Sequence, residues 1–279
     1  FSFSLILTLS IAGIKLTLEF IGVTLRLMQS IGGLNSAMSM LVSTHVHLDK
    51  LLLVERNRNL ESNFSYEVDS ESEDAIKLNK VSFSFINSDN NFYEKIDLSF
   101  EKNKHHVITG VNGSGKSTLL GILSGALLPF EGSAIKNTDK IGYIGASPLI
   151  LEDTLRANLK YASKDEISDD EMMVLLDEFK VFSENTIDKL DEIITNKTLS
   201  SGQMQKVSFI RAFLSNCEIL FLDESTANLD VQTKKQISDI LSTKKITIIN
   251  STHNPEDFVF DKHLKITINN NDKRIIESL

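Results

Sequence analysis

Eight consecutive residues, Gly110-Val111-Asn112-Gly113-Ser114-Gly115-Lys116-Ser117, carry the spacing G-x-x-x-x-G-K-S. Each residue type answers a need of a bound phosphate chain. Glycines let backbone N–H groups turn inward where a Cβ would block approach. A helix that begins at the end of the loop points its positive end at the same oxygens. The lysine neutralises charge on the β- and γ-phosphates, and the serine hydroxyl can ligate Mg²⁺. The nucleotide-contact candidates are therefore Asn112, Gly113, Ser114, Gly115, Lys116, Ser117 and Thr118, and the cofactors implied are ATP and Mg²⁺. A metal in such a site needs an acidic partner from the end of a buried strand. The run Ile219-Leu220-Phe221-Leu222-Asp223-Glu224 supplies one. Asp223 joins Ser117 as a metal candidate. Glu224, beside it, is the candidate general base that polarises the attacking water.

These residues need strands and helices to hold them. Ile76 to Phe85 alternates like a strand, Phe92 to Phe100 reads as a second, and His106 to Thr109 is a short β run that ends at the glycine loop. Thr118 to Ser124 continues as a helix. Helical stretches follow between Leu155 and Lys189, then the apolar strand Ile219 to Leu222, a polar helix from Val231 to Ser242 and a strand from Ile246 to Asn250. Strands alternating with helices predict an α/β fold with a parallel sheet covered on both faces.

Between the two motifs lies Leu199-Ser200-Ser201-Gly202-Gln203, opening a further helix. It resembles the LSGGQ signature of the ATP-binding cassette (ABC) family, with Ser201 in place of the first glycine. The resemblance runs on through Asp223-Glu224-Ser225-Thr226-Ala227-Asn228-Leu229-Asp230, which is similar to the family's Walker B and D-loop, to Ser251-Thr252-His253, similar to its switch histidine. It covers roughly Ile76 to Leu279. The resemblance implies a P-loop NTPase (RecA-like) parallel core with an antiparallel β subdomain and an α-helical subdomain. It also implies a head-to-tail pair of cassettes enclosing two ATP molecules, with a second ABC subunit, identical or not, as partner. Ser200, Gly202 and Gln203 would then meet the partner's γ-phosphate, Asp230 would communicate across the pair, and Phe85 would stack on adenine. The catalytic candidates become Lys116, Glu224 and His253. The sequence departs from the family at Tyr143-Ile144-Gly145-Ala146-Ser147-Pro148, where exporters carry a glutamine at the place of Ala146. An alanine side chain cannot hydrogen-bond, so weaker coupling of hydrolysis to a membrane domain is expected.

The 279 residues are 41% hydrophobic, enough for a full core. A formal charge of −9 argues against nucleic acid as a partner. One cysteine, Cys217, cannot make an intrachain disulfide, consistent with a reducing, cytoplasmic ATPase domain. Phe1 to Ile14 carries no charge, and Phe1 to about Met28 is expected to be the end of a truncated transmembrane helix in the lipid bilayer, although Lys15 and Glu19 interrupt the roughly 20 apolar residues a span requires. From Ile21 to Leu52 apolar residues recur at helical spacing. His45 and His47, two apart, fall on nearly opposite helix faces, which is poor geometry for a shared metal. Residues 55–75 are polar and acidic and read as a linker. The expected division is thus 1–54 for the end of a transmembrane domain, 55–75 for the linker and 76–279 for the ATP-binding domain. The whole resembles the C-terminal part of an ABC exporter half-transporter, a membrane protein exporting or flipping a substrate that these residues do not name. The alternative is a soluble or regulatory ABC ATPase uncoupled from transport. Retention of Lys116, Asp223, Glu224 and His253 weighs against a module that does not turn over.

Overall fold

The computed structural model describes residues 63–85, 88, 90–161, 163, 165–182, 189–269 and 272–279, with positions 23, 26, 27, 29–31 and 34 upstream. The chain divides into two compact units, Phe1–Leu60 and Glu61–Leu279. In the first, Val23, Leu27, Ile31 and Leu34 are helical and exposed at helical spacing. Most of the expected transmembrane segment, and His45 and His47, lie outside the described residues. Among those described, no helix is long and apolar enough to cross a membrane.

The second unit begins with strands β1 (Asn63–Val68), β2 (Asp74–Phe83), β3 (Tyr93–Glu101) and β4 (His105–Gly110), followed by helix α1 (Lys116–Ser124). Next come β5 (Glu131–Lys136), β6 (Ile141–Gly145), β7 (Asp153–Thr154), α2 (Leu155–Lys160), α3 (Asp169–Glu178) and β8 (Ile193–Ile194). The remainder is α4 (Ser201–Leu214), β9 (Ile219–Asp223), α5 (Val231–Thr243), β10 (Thr247–Ser251), β11 (Lys262–Ile268) and β12 (Arg274–Ser278), with a short 3₁₀ turn at Pro255–Asp257.

Alternation along the central strands decides what each face packs against. Ile219 and Phe221 of β9 join one apolar cluster, with Leu119, Leu120, Ile122 and Leu123 of α1. Leu220 and Leu222 point the other way, into a cluster with Val207, Phe209 and Ile210 of α4 and Ile237 and Leu241 of α5. Side chains two apart on a strand share a face, so a strand buried on both faces reads as a continuous apolar run. The resulting six-stranded sheet has the order β12-β11-β4-β10-β9-β6. All its pairs are parallel except β11 with β12. α2 and α3 pack on α4 as a helical subdomain.

A second sheet, ordered β1-β5-β2-β3, corrects two expectations. Asn63–Val68 falls within the expected linker but forms β1, and β2 already begins at Asp74. An edge strand tolerates exposed charge on its outer face. Here Phe64 and Tyr66 turn partly inward and alternate with exposed residues. Lys136 locks this strand in place, its Nζ lying 4.3 Å from the Tyr66 ring centre and donating to the Ser124 carbonyl at 3.0 Å. The sheet is also mixed where an antiparallel one was expected, because β1 runs parallel to β5 while β2 pairs antiparallel with both neighbours.

His105 and His106, adjacent on β4, are both buried. The His105 ring packs edge-on against Phe258, and its burial pushes its pKa down to about 4. An unfolded histidine titrates near 6.5. Between those values the unfolded chain takes up a proton that the folded chain refuses, so this term favours folding above pH ~6.5 and fades as pH falls toward 4. The size is on the order of 3 kcal/mol. Urea unfolding of wild type and His105→Gln at pH 7 and pH 4.5 measures it. The wild type is expected to lose more stability on acidification than the variant, and equal losses would remove His105 as the cause.

Candidate active site

Parallel pairing brings the carboxyl ends of four strands into line. Gly145 stands opposite Asp223, Asp223 opposite Ser251, and Ser251 opposite Ile108, two residues before Gly110. Ligands of open parallel sheets bind at this edge, where loops diverge and helix N-termini face the opening. Gly113 and Gly115 take φ values of 77° and 109°, backbone that other residues rarely adopt. A Cβ on Gly115 would also stand 2.6 Å from the Tyr93 hydroxyl, which donates to the Gly115 carbonyl. α1 then starts with no side-chain cap and no acidic residue in its first turn. Its positive end is thus uncompensated by side chains. Ser114 is fully buried with its Oγ unpartnered.

Residues far apart in sequence meet over this loop. The Lys116 ammonium, almost wholly buried, donates to the Gly110 carbonyl at 3.0 Å and lies 3.7 Å from Glu224 Oε1. His253 Nε2 lies 3.0 Å from the same Glu224 oxygen and 3.4 Å from Lys116 Nζ. A ring nitrogen that donates to Glu224 cannot also accept from Lys116, so the two contacts are alternatives. Glu224 itself has a φ of 50°, in the left-handed region. That conformation costs a non-glycine residue about 1–2 kcal/mol. Its N–H donates to the Ser251 carbonyl at 2.9 Å, which holds the turn against β10. The kink breaks the strand one residue after Asp223 and leaves the carboxylate beside Lys116 and His253.

Asp223 receives two hydroxyls, Ser117 on Oδ1 at 3.0 Å and Tyr143 on Oδ2 at 3.1 Å. Burial and the Asp223 charge raise the Tyr143 pKa, which keeps that hydroxyl a donor. No cluster of three or more His, Cys, Asp or Glu able to hold a metal occurs among the described residues. One carboxylate and one hydroxyl next to a phosphate cradle is nonetheless the donor set Mg²⁺ favours, since it binds through one or two carboxylates plus substrate phosphates.

The remaining candidates lie on other elements around this cluster. Ser200 caps α4 through a reciprocal box with Gln203: Ser200 Oγ accepts from the Gln203 N–H at 3.2 Å, and Gln203 Oε1 accepts from the Ser200 N–H at 2.9 Å. Gln203 also donates to the Val181 carbonyl, and Gly202 is half-buried. Asp230 caps α5, and its carboxylate accepts from the Thr233 N–H and hydroxyl, which lower its pKa. None of these bonds reaches the glycine loop. Phe85 lies two residues beyond the end of β2, not within it, and is 44% exposed. It stacks edge-on against Phe83 and Phe92, with centroids 5.1 and 5.0 Å away. Ala146 is exposed beyond β6 and lines a cavity of about 330 Å³ with Ser201, Gln205 and Ser225. Tyr143 belongs to none of the motifs in the sequence. The signal was its place two residues before the end of a strand paired with β9, which only strand register discloses.

This geometry defines a nucleoside triphosphatase of the P-loop kind. Residues 93–227 match the family described as ABC transporter. The chain is 31% identical over 237 residues to the energy-coupling factor transporter ATP-binding protein EcfA1 of Mesomycoplasma hyopneumoniae, across 72% of this chain and 85% of that protein. It is 31% identical over 165 residues to a multidrug resistance ABC transporter ATP-binding and permease protein of Lactococcus lactis, across 53% of this chain and 28% of that protein. Its fold is similar to that of a bacterial Atm1-family ABC exporter with ATP bound, with a TM-score of 0.60 at 21% identity, covering 68% of this chain and 36% of the exporter chain. It therefore spans about a third of the exporters it matches. The chain belongs to the ABC transporter family and is an ATP-binding ATPase of that family.

Proposed function

We propose that this ATPase drives export or flipping of a substrate across a membrane, as the cytoplasmic engine of an exporter-type transporter that works as a pair of cassettes. The observation carrying the catalytic half of this reading is the convergence of Lys116, Glu224 and His253 on one point beside the glycine loop. Asn112 to Thr118 would cradle the triphosphate, with Lys116 against the β- and γ-phosphates. Mg²⁺, held by Ser117 and Asp223, would supply charge neutralisation between the phosphate oxygens. Glu224 would accept a proton from the attacking water as it meets the γ-phosphorus, and His253 would hold the neighbouring γ-phosphate oxygen. Phe85, at the rim, would face the adenine.

Support for the exporter half is twofold. Relatives such as the Lactococcus protein are described as ATP-binding and permease in one chain. The helical residues Val23, Leu27, Ile31 and Leu34 upstream of the cassette expose an apolar stripe suited to a membrane or to membrane-domain helices. The division at residues 1–54, 55–75 and 76–279 is part of this proposal, with the ATP-binding domain now drawn to include β1. A second reading has an observation of its own. The match to EcfA1 spans most of that protein, which favours an ATP-binding subunit docking on a separate membrane protein. Resistance of the native protein to alkaline carbonate extraction from membranes is expected of the first reading, and release by carbonate of the second.

Pairing is supported by the bonds of Ser200 and Gln203, which go to each other and to Val181 and not to the chain's own phosphate loop. Ser200, Gly202 and Gln203 crown the N-terminus of a 14-residue helix, a second anion-accepting end, and would meet the γ-phosphate held by the partner cassette. Ser200→Asp tests this with the cap preserved, because aspartate is as good a cap as serine yet brings negative charge to that phosphate. ATPase activity is expected to fall ~10²- to 10³-fold, in keeping with the loss of one transition-state donor, while nucleotide affinity of the isolated cassette stays within about twofold. An equal loss of monomer affinity would place the signature in its own site and overturn the pairing.

A further inference from the structure

We propose that Tyr143 is a positioning residue for the catalytic metal, acting by fixing the plane of the Asp223 carboxylate. The proposal rests on the reading of Asp223 as the metal's acidic partner. β6 and β9 run parallel with Gly145 opposite Asp223 and Tyr143 opposite Phe221. The Tyr143 ring lies tilted over Phe221 at 6.3 Å, and its length carries the hydroxyl past the next residue pair to the end of β9. There it donates to Asp223 Oδ2 at 3.1 Å, while Ser117 donates to Oδ1 at 3.0 Å.

A carboxylate at the end of a strand turns freely about its last bond unless both oxygens are engaged. With a single donor the Asp223 plane would pivot about that contact. Two donors, from separate elements on either side, hold it in one orientation. Ser117 belongs to the phosphate loop and must turn toward any metal that binds there, so its bond to Asp223 is the one exposed to change. Tyr143 has no such second duty. Its hydroxyl has Asp223 as its hydrogen-bond partner, and it comes from a strand anchored to β9 by regular pairing. The residues at the strand end, Gly145 and Ala146, have no polar side chain to offer in its place. Partners that orient a metal's ligands from behind typically change metal affinity about 10- to 100-fold when removed.

The test uses the full chain with Mn²⁺ as the probe for Mg²⁺. Free Mn²⁺ is counted by its electron paramagnetic resonance signal in the presence of saturating ATP, and ATP affinity is measured separately in EDTA. Tyr143→Phe keeps the ring and removes one oxygen, and is expected to weaken Mn²⁺ binding about 10-fold with ATP affinity in EDTA unchanged. The Mg²⁺ concentration giving half-maximal turnover rises by the same factor, while turnover at saturating Mg²⁺ is retained. Asp223→Asn weakens Mn²⁺ binding further, and adding Tyr143→Phe to it has little additional effect. Mn²⁺ affinity within twofold of wild type in Tyr143→Phe, with Asp223→Asn impaired, would overturn the role of Tyr143 alone. Unchanged Mn²⁺ binding in Asp223→Asn would overturn the assignment of Asp223 and the proposal with it.

Discussion

Glu224→Gln is expected to lower phosphate release at saturating ATP by about 10²- to 10⁴-fold, the usual cost of losing a general base. In barrier terms this is roughly 3 to 5 kcal/mol. The substitution conserves shape and the left-handed backbone at this position, so the fold has no reason to change. What changes is basicity: an amide cannot take the proton from water. The ammonium of Lys116, 3.7 Å from the carboxylate, then faces a neutral group. Removing a negative charge from beside the γ-phosphate position also lessens repulsion of ATP, so nucleotide affinity is expected to hold or rise. Blocked hydrolysis with intact binding should trap the ATP-bound pair. Sedimentation of the variant with MgATP is therefore expected to show paired cassettes where wild type cycles back to single ones. Undiminished turnover would remove Glu224 from the mechanism. A variant that stays monomeric with ATP in the complete transporter would remove the pairing.

Lys116→Met should act at the step before. Methionine matches the apolar stem of lysine in length and fills the buried slot, so the contrast isolates the ammonium. That ammonium lies on the Gly110 carbonyl, within reach of Glu224 and His253. A charge-assisted hydrogen bond is worth about 1.5 to 3 kcal/mol. Loss of one or two such bonds predicts ATP affinity ~10- to 1000-fold weaker, measured by equilibrium dialysis, with hydrolysis lost in step. Thermal unfolding of the variant is expected to change little, since Glu224 is partly exposed to water and keeps His253 beside it when the lysine is gone. A fall in melting temperature with unchanged affinity would assign Lys116 a structural role and defeat the phosphate reading.

Long apolar runs and local motifs were legible along the chain because their causes are local. Ile219 to Leu222 reads as a buried strand, and Gly113, Gly115 and Lys116 read as a phosphate loop, since the required backbone angles and helix start depend on neighbours in sequence. Strands whose residues carry little intrinsic preference were not legible. β6, with two glycines in five residues, is a strand only because β9 pairs with it. β1 lies within a polar, acidic stretch, and β5 alone gives it a place in a sheet. Phe85 shows a smaller discrepancy: its aromatic type suggested the end of a strand, but β2 stops at Phe83 and Phe85 is held by ring contacts.

The glycine loop, the acidic pair at Asp223 and Glu224 and the helix start at Ser200 were determined by the sequence alone, for each is written in a few adjacent residues whose angles and charges suffice to name the chemistry. Tertiary structure decided which of them meet. Parallel pairing aligns the ends of β4, β10, β9 and β6, so that residues 116, 224 and 253 come within 3.7 Å of one another and Tyr143 reaches Asp223. The physical reason is register: a shift of one residue in any of these strands would turn its side chains to the opposite face, and register is set by long-range pairing that no local spacing records.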